Sequence, residues 1–146
     1  MIQITRKHSG KRDAILRAIQ STKSHPSARQ IHESLKTAVP GLSLGTVYRN
    51  IDIFRQEGKV VSVGVVDCEE RFDGRVDSHP HFICECCGAV LDLGEEIQSE
   101  INTKLSIDIP ECTIDKQKVV FYGLCKDCTE NKAGISLNRE NTALGR

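Results

Sequence analysis

His79-Pro80-His81-Phe82-Ile83-Cys84-Glu85-Cys86-Cys87-Gly88, with Asp92 just beyond, interleaves two kinds of metal ligand in one short stretch. Thiolates are soft donors, whereas imidazole and carboxylate are borderline to hard, so the two sets suit different metals. Cys84 and Cys87 are matched by a second pair in Cys125-Lys126-Asp127-Cys128. Each Cys-x-x-Cys pair puts two thiolates on one tight turn, and Gly88 supplies backbone freedom just after the second ligand. Two pairs complete the tetrahedral shell of a structural Zn2+ and leave no open position for a substrate. Seven cysteines without a signal peptide favour reduced thiols in the cytoplasm over disulfides. Cys86 breaks the spacing and is read as a bystander. The interval from Gly88 to Leu124 is long, so the zinc must tie together elements distant in sequence.

Phe82–Cys84 and Ala89–Leu93 read as strands flanking the cysteine turn. Glu95–Leu105 reads as a helix, with Ile97, Ile101 and Leu105 on one stripe and acids in its first turn. Val119–Leu124 reads as a strand leading to the second cysteine pair. This small α/β module has a thin core, so a structural metal and a dimer partner are both expected.

The preceding half has a different character. Residues 1–66 hold 11 Lys/Arg and 4 Asp/Glu, whereas residues 67–146 hold 9 and 16, so a net charge of zero hides a basic half joined to an acidic one. That asymmetry points to a polyanion-binding module beside a control module. Lys11–Gln20 reads as a first helix. Ser27-Ala28-Arg29-Gln30 fits a capping box opening a second, which Pro40-Gly41 terminates. Ser43 is placed as N-cap of a third helix ending before Gly58. Its Val47, Ile51 and Phe54 face inward, leaving Tyr48 and Arg49 outward near the helix start. Lys59–Val66 is rich in β-branched residues and reads as a strand, Asp67–Glu70 as a turn, and Arg71–Asp73 as the return strand. Three helices and a hairpin are the order of a winged helix. In helix-turn-helix readers the second motif helix enters the major groove leading with its N-terminal residues.

The residues Ser43-Leu44-Gly45-Thr46-Val47-Tyr48-Arg49-Asn50, Arg71-Phe72-Asp73, His79 to Cys84 with Cys87-Gly88, and Tyr122-Gly123-Leu124-Cys125 with Cys128 together resemble the ferric uptake regulator family of bacterial metal-dependent repressors. The resemblance covers about Ser9 to Cys128. It implies an α+β chain with an N-terminal winged-helix DNA-binding domain (1–74), a small α/β dimerisation domain binding metal (75–132) and a polar tail (133–146). It also implies a cytoplasmic homodimer on a palindromic double-stranded DNA operator, contacted by Arg12, Ser43, Thr46, Tyr48 and Arg49. Within the family the peroxide-regulator branch fits best. Its regulatory site of three histidines and two aspartates matches His25, Asp73, His79, His81 and Asp92, a set suited to Fe2+ or Mn2+. Iron-uptake members usually carry glutamate at the positions of Asp73 and Asp92. An auxiliary site of the family needs a histidine where this chain has Gln117. The usual Thr-Pro-Gln-Arg before the first helix reads Ser9-Gly10-Lys11-Arg12, and the leading helix is nearly absent before Thr5.

Other functions fare less well. No His-Glu-x-x-His or similar helix motif supports a zinc hydrolase, so the chain is not read as an enzyme. No apolar run reaches membrane-spanning length. A metal storage or chaperone protein would use the same ligands but would not need the basic helix. Cys68, at the expected wing tip, is read as an exposed loop thiol, but it keeps a zinc-uptake regulator as an alternative because zinc-uptake members use a regulatory cysteine; an iron-uptake regulator of the same family is a second alternative.

Overall fold

The structure, a computed structural model, describes residues 10–104 and 110–131. The expected leading segment before Thr5, Leu105 and the polar tail lie outside the described residues. The chain divides into two units between Asp77 and Ser78, three residues beyond the boundary expected from the sequence.

The first unit holds α1 (Gly10–Gln20), α2 (Ala28–Leu35), α3 (Leu44–Gln56) and a hairpin of β1 (Val61–Val66) and β2 (Glu69–Asp73). Each helix start is set locally. The Ser27 side chain accepts from the Gln30 amide, and the Gln30 side chain accepts from the Ser27 amide, a complete capping box. Ser43 caps α3 by accepting from the Thr46 amide. Helix α3 stops at Gly58, whose φ of +67° lets the Lys59 amide turn back onto the Phe54 carbonyl at 2.8 Å. The inward faces close one core from Ile15, Ile19, Ala28, Ile31, Leu42, Val47, Ile51, Phe54, Val60 and Phe72. Arg12 joins α1 to the end of α3: its Nη2 donates to both Glu57 oxygens at 2.6 and 2.7 Å, and its guanidinium lies 5.2 Å from the Phe54 ring centre.

The hairpin is tighter than the sequence indicates. Its turn is Asp67-Cys68 alone, both residues at positive φ, and Val66 already pairs with Glu69. A two-residue loop with both φ positive matches the right-handed twist of the strands, so pairing wins over a four-residue turn.

The second unit holds β3 (His81–Cys84), β4 (Val90–Asp92), α4 (Glu95–Lys104) and β5 (Val120–Gly123). The sheet order is β4-β3-β5, with β4 antiparallel and β5 parallel to β3. Two registers position everything that follows. His81 lies opposite Asp92 on the β3–β4 ladder, and Cys84 lies opposite Gly123 on the β3–β5 ladder. The two ends of one central strand therefore carry two different ligand sets. Among the described residues the core is thin: the buried hydrophobic positions are Ile83, Val90, Cys84 and Cys128, with Pro80 buried beside them, and α4 buries none. No helix among the described residues is long and apolar enough to cross a membrane.

Candidate functional site

At the C-terminal end of β3, Gly88 at φ +71° turns the chain so that its amide bonds the Cys84 carbonyl at 2.9 Å, folding Cys84 and Cys87 into one knuckle. The parallel ladder delivers Leu124 and Cys125 alongside, and the Cys125 amide donates to the Cys84 sulfur at 3.3 Å. A helical turn over residues 126–131 then brings round Cys128. The sulfurs of Cys84, Cys87, Cys125 and Cys128 all lie within 4.8 Å of one another. Cys87 and Cys125 sulfurs are 3.8 Å apart, far beyond a disulfide bond. A tetrahedron with Zn–S bonds of ~2.3 Å has sulfurs separated by about 3.8 Å.

The electrostatics point the same way. The Cys125 amide, then the Cys87 amide, hold the Cys84 thiol down at about 6. Cys128 is pushed up instead, first by Cys125, then by Cys86 and burial. The backbone thus accommodates one thiolate while crowding opposes further ionisation. A divalent cation at the centre is what allows four thiolates together. The residues fit zinc. Cys86 is exposed and outside the four-sulfur cluster.

At the other end of β3, the strand itself begins at His81, with His79 just ahead of it. The two rings still share a side, their centres 4.3 Å apart. His79 Nε2 and His81 Nε2 lie 3.1 and 3.4 Å from the same oxygen, Oδ1 of Asp92. Both histidines are buried. Two imidazole nitrogens and one carboxylate oxygen converging on a point form an arrangement that a borderline cation satisfies.

The first unit carries a matching pair. His25 Nε2 lies 3.5 Å from Oδ2 of Asp73, both side chains buried. The other Asp73 oxygen accepts from the Arg75 amide at 2.8 Å, which fixes the carboxylate. A side chain at Gly74 would place its Cβ 2.8 Å from Gln20 Cα, so glycine allows the chain to leave Asp73 against the end of α1. His25 has φ +51° and precedes proline, a left-handed conformation that costs a non-glycine residue about 1–2 kcal/mol. Such strain persists only where the surroundings impose it, and it concentrates at functional sites.

The start of α3 forms a third constellation. Ser43 and Thr46 hydroxyls are 2.8 Å apart, and Arg49 Nη2 donates to the Thr46 hydroxyl at 3.1 Å. Tyr48 stands beside them, half exposed. The first turn of α3 has no acidic residue, so the helix start, its hydroxyls and the Arg49 guanidinium form a positive end that suits phosphate. Arg12 is placed elsewhere, engaged with Glu57 at the opposite end of α3. Cys68 sits exposed at the hairpin tip, and Gln117 donates to Asn102. Pattern reading missed the roles of Glu69 and Arg71, which grip the His25 segment. The Arg71-Phe72-Asp73 motif was the available signal.

A winged-helix unit joined to a cysteine-knuckle unit that carries a histidine–aspartate cluster defines a metal-dependent DNA-binding regulator. The chain belongs to the ferric uptake regulator family, whose model matches residues 3–116. It is 33% identical over 119 residues to the peroxide-responsive repressor PerR of Staphylococcus epidermidis, covering 82% of this chain and 79% of that protein. Among solved structures, the Campylobacter jejuni peroxide stress regulator is 26% identical, with a TM-score of 0.63 over 81% of this chain and 88% of that one. The Helicobacter pylori ferric uptake regulator superposes with a TM-score of 0.67 at 20% identity over 84% of this chain and 82% of that one, a likeness of fold. The four-cysteine cluster fits a structural Zn2+, and the histidine–aspartate ligands fit a borderline cation such as Fe2+ or Mn2+.

Proposed function

We propose that this chain is a peroxide-sensing repressor, acting as a cytoplasmic homodimer on a palindromic operator. The observation that carries the reading is the division of ligands. His25 and Asp73 are oriented within the winged-helix unit, while His79, His81 and Asp92 converge within the other. One ion taken by all five would fix the orientation of the two units and hence the spacing of two recognition helices in a dimer. Operator half-sites lie about one helical turn, ~34–36 Å, or a multiple apart, so that spacing governs affinity. Metal and DNA then favour the same conformation and strengthen each other's binding. Iron in this set would supply the redox chemistry by which peroxide adds oxygen to a ligand ring, His25 or His79 by motif position. An oxidised ring is a poorer donor, so the units uncouple and DNA is released. The peroxide-responsive name of relatives at 33% identity supports this reading. Ser43, Thr46, Tyr48 and Arg49 contact the DNA; Arg12 joins them only if it leaves Glu57.

The test is His25→Ala. The variant should keep zinc and its dimer yet gain no DNA affinity from Mn2+ or Fe2+. If the wild type bound DNA equally with and without metal, the reading would fail. Activation by Zn2+ alone would favour a zinc-uptake regulator.

A further inference from the structure

The Arg71-Phe72-Asp73 run does three separate jobs. Asp73 faces His25, and Phe72 fills the core while its amide donates to the Pro26 carbonyl at 3.1 Å. Arg71 pairs with Ser27 in an isolated antiparallel bridge. Its Nη1 donates to Gln30 Oε1 at 2.8 Å and lies 3.5 Å from the His25 carbonyl. Gln30 is itself the capping-box partner of Ser27, so Arg71 holds the residue that holds the start of α2. Two residues earlier on the same strand, Glu69 accepts from the Ser27 hydroxyl at 2.5 Å and from Arg29 Nε at 2.6 Å. The Ser27 hydroxyl first, and then Arg29, keep the Glu69 carboxyl below its usual range. The His25-Pro26-Ser27 segment is therefore clamped along its length by one face of β2.

We infer that Arg71 and Glu69 are positioning residues for the regulatory ion: from the wing strand they hold His25 in its strained backbone conformation, facing Asp73. This rests on the proposed role of His25 as a ligand. It assigns a metal-affinity function to residues that are not ligands themselves. Groups that orient a ligand commonly change metal affinity 10–100-fold when lost. The clamp also makes the wing and the His25–Asp73 pair one body, so a change at the ligand reaches the hairpin without a separate relay.

The experiment titrates the full-length zinc-loaded protein with Mn2+ alone, following free Mn2+ by electron paramagnetic resonance, with zinc content and melting temperature as controls. Arg71→Ala should weaken Mn2+ binding about 10-fold or more with zinc retained. Arg71→Lys should recover most of that, because a single nitrogen serves both Arg71 contacts. Glu69→Gln, which preserves shape, should weaken Mn2+ severalfold and decides the matter if Arg71→Ala misfolds. Unchanged Mn2+ affinity in Glu69→Gln and in a folded Arg71→Ala, beside loss of affinity in His25→Ala, would overturn the inference while leaving the proposed function standing. Unchanged affinity in His25→Ala would instead overturn the five-ligand reading on which it rests. An Arg71→Ala loss that Arg71→Lys fails to restore, tracking melting temperature alone, would reduce Arg71 to a structural residue and also overturn it.

Discussion

Replacing Cys125 with Ser should unfold the second unit while leaving the first intact. The magnitude follows from how little else holds that unit. Among the described residues, apart from two ligand cysteines and Pro80, its buried hydrophobic positions are Ile83 and Val90, each contributing about 1.5–3 kcal/mol. A structural zinc contributes on the order of 10–16 kcal/mol of apparent folding free energy. Losing one thiolate of four forfeits a quarter of that, ~2.5–4 kcal/mol, comparable with both apolar side chains together. The Cys125 sulfur is 3.8 Å from that of Cys87, so its removal is felt across both cysteine pairs. Zinc content by mass spectrometry, combined with amide hydrogen exchange resolved by unit, is the assay. Exchange protection should vanish across β3–β5 and survive in α1–α3, whose core of ten buried residues is separate. A zinc-free Cys125→Ser chain with β3–β5 still protected would show that zinc does not hold the second unit together.

Arg49→Ala should weaken DNA binding by ~1–3 kcal/mol at one base position if Arg49 reads a base, or uniformly if it meets phosphate, with an unchanged melting temperature; unaltered affinity would remove it from the interface. Ser43→Ala removes the α3 cap and should cost about 1 kcal/mol, lowering the first unit's melting temperature by roughly 4–8 °C in calorimetry. Because the Glu69 carboxyl is held below its ordinary 4.5, its clamp on Ser27 and Arg29 should be fully present above that pH and lost as pH falls through the lowered value. The stability difference between wild type and Glu69→Gln should therefore be constant above pH 4.5 and narrow below it; a difference that widened on acidification would contradict the assignment.

Local features were the most legible. The Ser27–Gln30 capping box, the Ser43 cap and the inward triplet Val47, Ile51 and Phe54 depend on spacing within one turn or two, and the structure shows each of them. The pairing of Cys84–Cys87 with Cys125–Cys128 was readable because ligand spacing encodes a constraint that the intervening chain need not reveal. The parallel alignment of β5 with β3 was not readable, since that register depends on packing across a long connection. The same holds for Arg12, whose resemblance to a DNA-contacting residue gives no sign of the bond to Glu57. His79 and His81 share a side as alternation suggests, although the strand starts only at His81. The left-handed backbone of His25 has no local signature: Ser24-His25-Pro26 would favour an extended residue, and the β2 clamp imposes the exception.

Whether iron-bound peroxide sensing controls operator binding is decided by DNA binding of anaerobically purified protein, loaded with Fe2+ or Mn2+, before and after peroxide. Fluorescence anisotropy on a duplex selected from a random pool, joined to mass spectrometry of the same sample, reads both affinity and chemistry. Binding should require metal, peroxide should abolish it with Fe2+ and spare it with Mn2+, and one added oxygen should map to His25 or His79. Equal loss with both metals, with oxidation at Cys84 or Cys125 instead, would contradict it.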